Sequence, residues 1–255
     1  MTSPRFYCPV DISPGETLEL PKNIAHHAAH VLRLEPGAKL ILFNGRGGEF
    51  SAVMTHVGRA GALVIIEKHM TIDRESSLSI TLAQAICASE KMDWIVQKAV
   101  ELGVSRIQPL AARLSVVRLS GERVEKRLNH LRKVVIAACE QCGRNRIPEV
   151  LSPAPLQDWL GQQIMHFKNP LRNAAPDTRF MLSPTANEGL RYYPRILEIP
   201  VVTLLVGPEG GFTQEEEAVA LKAGFLPLRL GARILRTESA ALAAVAAMQA
   251  RWGDY

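Results

Sequence analysis

Val201-Val202-Thr203-Leu204-Leu205-Val206 carries no charge and runs without a break into Gly207-Pro208-Glu209-Gly210-Gly211, and no other segment constrains the fold as much. A strand without polar alternation is buried on both faces, which places it inside a parallel sheet covered by helices. Thr213 then offers an N-cap hydroxyl and Glu216 completes a capping box, so a helix starts directly after the loop. Strand, glycine loop and helix together turn backbone N–H groups toward the carboxyl edge of the sheet, where open α/β sheets bind ligands. The loop lacks the lysine and spacing of a P-loop and is not G-x-G-x-x-G, so neither nucleotide fingerprint is met. A tight turn that simply needs three glycines is the competing reading.

A second unit of the same kind follows. Leu226-Pro227-Leu228-Arg229-Leu230 runs into Gly231, and a short loop reaches Thr237, which has the chemistry of an N-cap. Ala240 to Ala250 is a helix of small side chains, suited to burial against the sheet or a second subunit. Arg233 and Arg236 precede it, placed to clamp an anion, and Glu238 falls in its first turn.

The rest divides in two. Residues 1–72 read as a small β-rich domain with strands at Lys39–Phe43 and Ala62–Ile66, a turn at Asn44-Gly45-Arg46-Gly47-Gly48, and a helix from Asn23 to Leu34. Residues 73–255 alternate strand and helix, the pattern of an α/β domain. Strands are expected at Leu78–Ala83, Arg106–Leu110 and Arg179–Leu182, with helices from Glu90 to Leu102, closed by Gly103 at C′, and from Glu122 to Cys142. Residues 161–178 show no clean period and read mainly as a loop.

The net charge of +5 favours a polyanionic partner without requiring one. The excess is local: residues 113–146 hold nine Lys or Arg against three acids. Arg123, Lys126, Arg127, His130 and Lys133 share one face of the long helix, suited to tracking phosphates or simply to being solvated. Four cysteines are too few for a disulfide scaffold, and no apolar run is long enough for a bilayer, so a cytoplasmic protein is expected. Cys139-x-x-Cys142 lacks a second ligand pair and reads as packing, and no metal is expected at His26, His27 and His30 either.

Gly207-Pro208-Glu209-Gly210-Gly211-Phe212 followed by Leu230-Gly231-x-x-Ile234-Leu235-Arg236-Thr237-Glu238 resembles the RsmE family, which methylates uridine N3 in small-subunit (16S) ribosomal RNA. Arg5-Phe6-Tyr7, His27-x-x-His30-Val31-Leu32-Arg33-Leu34, the segment Lys91 to Val104, and Glu140-Gln141-Cys142-Gly143-Arg144 extend the resemblance over nearly the whole chain. Ser239 stands where the family usually has threonine, and Ala111-Ala112-Arg113-Leu114-Ser115 replaces a more usual Glu-Arg-Ser.

The resemblance implies a SPOUT domain with a trefoil knot, a PUA-like N-terminal domain, a homodimer, and bent S-adenosyl-L-methionine as cofactor. Met181 and Leu182, Val206, Gly207, Gly210 and Gly211, and Leu230, Gly231, Ile234, Leu235, Thr237 and Ala240 would hold that cofactor. Arg236, with Arg144 as second choice, would stabilise the uridine anion, and Glu209 or Glu238 would take the proton or act as caps. Arg33, Arg46, Arg113, Arg123, Lys126, Arg127, Arg144 and Arg233 would meet ribosomal RNA or the assembled small subunit. A non-catalytic RNA-binding assembly factor with the same fold is the alternative.

Overall fold

The computed structural model describes residues 3–58, 61–116, 121–168, 177–193 and 201–255. The chain forms two units, one comprising Met1–Glu75 with Ile136–Ile147, the other Ser76–Val135 with Pro148–Tyr255.

In the first unit, β1 (Arg5–Tyr7), β2 (Thr17–Glu19), β3 (Lys39–Phe43), β4 (Glu49–Gly58) and β5 (Gly61–Met70) form a sheet ordered β1-β3-β4-β5-β2. The strand β4 is absent from the sequence expectation, although its buried Phe50, Ala52 and Met54 have the two-residue period of a half-buried strand. The expected helix over residues 23–34 divides. An α-helix, α1 (Lys22–His26), widens into a π-helical turn, His27–Val31, where Leu32 N–H donates to the His27 carbonyl. Leu40, Leu42, Phe50 and Val64 pack with Ile24 and Ala28 in one core.

Buried Glu49 organises the polar side of this unit: it accepts from Arg5 Nη1 at 2.5 Å, Arg74 Nη1 at 3.0 Å and Asn145 Nδ2 at 3.1 Å. Burial alone would raise its pKa, but these three partners carry it below 4.5.

In the second unit, β6 (Ser79–Ala85), β7 (Arg106–Ala111), β8 (Glu149–Val150), β9 (Ala154–Pro155), β10 (Asp177–Leu182), β11 (Val201–Val206) and β12 (Leu226–Leu228) are all parallel. Their order is β12-β10-β11-β6-β7-β8, with β9 also on β7. The helices are α2 (Ser89–Glu101), α3 (Glu122–Cys142, of which Ile136–Cys142 belong to the first unit), α4 (Leu156–Lys168), α5 (Gln214–Lys222) and α6 (Thr237–Trp252).

Helices cover both faces of this sheet, which is why β11 needs no polar alternation. Ala83, Met181 and Leu205 pack with Leu156, Trp159, Leu160, Ala220 and Phe225 of the α4–α5 side. Phe180, whose side chain leaves the opposite face of β10, stacks on Trp252 of α6 at 5.7 Å between centroids. The helix α2 ends in a Schellman motif, Gly103 (φ +85°) donating to the Val100 carbonyl and Val104 to that of Ala99.

The expected loop over residues 161–178 is corrected: α4 runs to Lys168, and 169–176 lie outside the described residues. Buried Leu156, Trp159 and Leu160 with half-buried Ile164 carry the helical period, and a window opening at residue 161 excludes most of them.

Candidate active site

β10, β11 and β12 are adjacent, and the segments leaving their carboxyl ends converge on a cleft of about 690 Å³. That volume suits a small-molecule site. Its walls come from Leu182 to Thr185, from Val206 to Phe212, and from Leu228 to Thr237 with Ala240; Lys91 of α2 and Glu217 of α5 complete them, while Gly231 and Ala232 lie outside.

The glycine loop is held at both ends. Thr213 and Glu216 form the expected capping box, and Glu216 Oε1 also accepts from the Arg113 backbone N–H at 2.8 Å. A Cβ on Gly210 would stand 3.1 Å from Leu114 Cβ, so a side chain there would push the loop off the 111–115 segment.

Thr237 does not cap its helix; Arg236 occupies the N-cap position. The Thr237 hydroxyl instead donates to the Gly207 carbonyl at 2.6 Å and accepts from Gln84 Nε2 at 3.1 Å. Gln84 is fully buried on β6. One hydroxyl thus ties the glycine loop, the third loop and a central strand together.

Glu209 bonds to Lys91 Nζ at 3.0 Å, and Glu238 lies 4.0 Å from the same nitrogen. Burial pushes the Glu209 pKa up, but the lysine hydrogen bond, backbone N–H groups and the lysine charge hold it below 4.5. The same contact raises Lys91. Arg236 lines the cleft without a carboxylate partner among the described residues.

With this geometry in place, likeness to known proteins becomes informative. Residues 74–249 match the family model for an RNA methyltransferase domain, and residues 20–67 that for an RNA methyltransferase PUA domain. Ribosomal RNA small subunit methyltransferase E of Buchnera aphidicola (subsp. Schizaphis graminum) is 35% identical over 251 residues, spanning 98% of this chain and 97% of the relative. The chain belongs to the ribosomal RNA small subunit methyltransferase E family. A Neisseria gonorrhoeae member of that family, solved bound to S-adenosyl methionine, aligns over 100% of both chains with 39% identity and a TM-score of 0.88. A Legionella pneumophila chain solved with the same cofactor gives 39% identity, full coverage of both chains and a TM-score of 0.90.

Against this family framework, the expected site residues separate. Leu182, Val206, Gly207, Gly210, Gly211, Leu230, Ile234, Leu235, Thr237 and Ala240 line the cleft, as do Glu209, Arg233 and Arg236. Met181 points into the core instead, 2% exposed, because alternate residues of β10 face opposite sides of the sheet. Gly231 lines an adjoining cavity. Arg144 lies in the first unit, buried, its Nε donating to Glu75 at 3.0 Å, and it does not line the cleft.

Among the expected RNA contacts, Arg33, Arg46, Arg113, Arg123 and Lys126 are exposed. Arg46 pairs with Asp11 at 2.7 Å, and the Arg113 guanidinium lies 3.9 Å from Glu215. Arg127 is committed to Asp93 at 2.8 Å and to the Ser89 carbonyl, and His130 also reaches Asp93. The basic face of α3 is therefore narrower than its spacing implied. Cys139, read as packing, is buried and its thiol pushed up to about 12 by burial, while Cys142 is half-buried.

Sequence reasoning missed Gln84, Lys91, Ser183, Thr185 and Arg229. Only Gln84 carried a signal, an amide inside an otherwise apolar strand, which at a buried position must find partners. Among the described residues no three His, Cys, Asp or Glu side chains gather as a metal site, and no helix is long and apolar enough to cross a membrane.

Proposed function

We propose that this chain transfers the methyl group of S-adenosyl-L-methionine to N3 of a uridine in small-subunit ribosomal RNA. The observation that carries the reading is the three-loop cleft at the carboxyl ends of β10, β11 and β12, in a chain aligned end to end with cofactor-bound family members. The residues fit the cofactor. Leu182, Val206, Leu228, Leu230 and Leu235 offer apolar surface to a purine, and the glycine segment brings backbone close without filling the cleft.

When bound, the cofactor supplies an electrophilic methyl group on a sulfonium. The chain's own residues do the rest. The loops fix the geometry of approach, which supplies much of the acceleration in such a transfer. Arg236, uncommitted to any carboxylate among the described residues, is placed to stabilise negative charge on the uracil ring as its N3 proton leaves. Glu209 is a poor acceptor for that proton, because Lys91 and the backbone N–H groups lower its basicity. Glu238 is not among the cleft-lining residues and its buried Oε2 lies 4.0 Å from the same lysine, so the geometry assigns the proton to neither carboxylate.

Residues 1–72 serve as a PUA-like RNA grip and 73–255 as the transferase domain, acting in the cytoplasm as a homodimer. A trefoil-knotted path is part of the reading and rests on the family resemblance. Calorimetry with the cofactor, followed by nucleoside mass mapping of small-subunit RNA from a deletion strain after treatment with the protein, tests the proposal. Cofactor binding and a new N3-methyluridine are expected. RNA binding without either would replace it with a non-catalytic assembly factor.

A further inference from the structure

Beside the cofactor cleft lies a second cavity of about 540 Å³, whose lining among the described residues includes Arg191, Tyr192, Arg229 and Arg233 but no acidic residue. Arg229, Leu230 and Arg233 line both cavities, so the two adjoin. Its walls are set by backbone pairing: Ser183 N–H donates to the Leu228 carbonyl at 3.0 Å, Arg229 N–H to the Glu188 carbonyl at 2.9 Å, and Gly189 bridges Arg229.

Charge identifies the missing partner. Among the described residues neither Arg191, Arg229, Arg233 nor Arg236 pairs with a carboxylate. S-adenosyl-L-methionine carries a net positive charge, so it leaves this cluster unneutralised. A polyanion would neutralise it. Tyr192 adds the second element: its ring is 59% exposed, with the Arg191 guanidinium 5.1 Å from its centroid. Arg191 Nη2 also donates to the Tyr192 hydroxyl at 3.3 Å, and an exposed aromatic ring among arginines without carboxylate partners is how single-stranded nucleic acid is held, bases on the ring and phosphates on the cations.

We infer that this second cavity is the subsite for the RNA strand flanking the target uridine, with a neighbouring base stacked on Tyr192 and backbone phosphates on Arg191, Arg229 and Arg233. The inference rests on the RNA-directed reading above. It adds that the strand enters beside the 183–192 segment, single-stranded, and is gripped next to the reacting base.

Full-length protein with bound cofactor is titrated into a fluorescent single-stranded RNA containing one uridine, across a salt series. Tyr192→Ala should weaken RNA binding about fivefold or more, while Tyr192→Phe, which keeps the ring, binds like wild type. Arg191→Gln should lower the slope of log affinity against log salt by about 0.7, the share of one phosphate contact. Both side chains line only the second cavity, so cofactor affinity should not change. Unchanged RNA affinity and slope would overturn the subsite, as would a change of oligomeric state in place of an RNA effect, since a second copy would then cover the cavity. Binding is read directly, so a wild type that binds RNA without methylating it would remove the proposed activity while the slopes still decide the subsite.

Discussion

Replacing Thr237 by valine preserves shape and removes the hydroxyl that donates to the Gly207 carbonyl and accepts from Gln84. Each such bond contributes about 0.5–1.5 kcal/mol net, and a buried partner left unsatisfied costs about 1–3 kcal/mol. Gln84 Nε2 keeps its second bond, to the Ala85 carbonyl at 3.0 Å, and half-buried Gly207 lines the cleft, so the loss is mainly that of the two bonds themselves. A loss of about 2 kcal/mol follows, which in a chain of this length lowers Tm by roughly 4–8 °C. The loops the hydroxyl joins line the cofactor cleft, so cofactor affinity falls as well. Thr237→Ser retains the bridge and should behave like wild type. Differential scanning calorimetry with and without cofactor, on T237V, Q84L and the double variant, completes the test. A bridging hydroxyl predicts coupling of about 0.5–1.5 kcal/mol between the two sites. Additive effects, or a T237V variant melting and binding like wild type, would refute the bridge.

Arg236→Ala should lower kcat by about a hundredfold or more with cofactor affinity little changed, as expected when a charge acts only on the transition state; single-turnover transfer and calorimetry read the two separately. Glu209 has a folded pKa below 4.5, so its contribution to stability is complete above pH 4.5 and fades as pH falls through the folded value. Glu209→Gln should accordingly flatten the acid limb of a Tm-against-pH curve. Glu49→Ala removes the shared carboxylate of Arg5, Arg74 and Asn145 and should destabilise the chain by about 3–5 kcal/mol in urea denaturation. Of the four thiols, only half-buried Cys142 should react quickly with a disulfide reagent in the native state, because burial lifts Cys8 to about 11 and Cys87 and Cys139 to about 12.

Several features of this protein are carried by short stretches of chain. The buried character of β11, the capping box at Thr213 and Glu216, the span of α3 and the C′ glycine of α2 each depend on residues a few positions apart, where period, cap and turn chemistry operate. The same holds for the glycine loop in the wall of the cleft, since a strand opening through glycines into a helix N-terminus is a local pattern. The resemblance added the cofactor and the RNA, which no local rule supplies.

Other features were settled only by the packing of distant segments. Arg144 looks like a site residue beside a glycine, yet Glu75, sixty-nine positions away, holds it in the first unit. Arg127 sits on a basic helix face, yet Asp93 of another helix claims its guanidinium. Thr237 has the chemistry of a cap and the geometry of a bridge, because Gln84 and Gly207 arrive from strands far away in sequence. Lys91 and Arg229 enter the cleft for the same reason. Periodicity and capping are short-range and can be read from neighbours. Charge pairing and cavity lining are long-range, and they depend on which segments the sheet order places side by side.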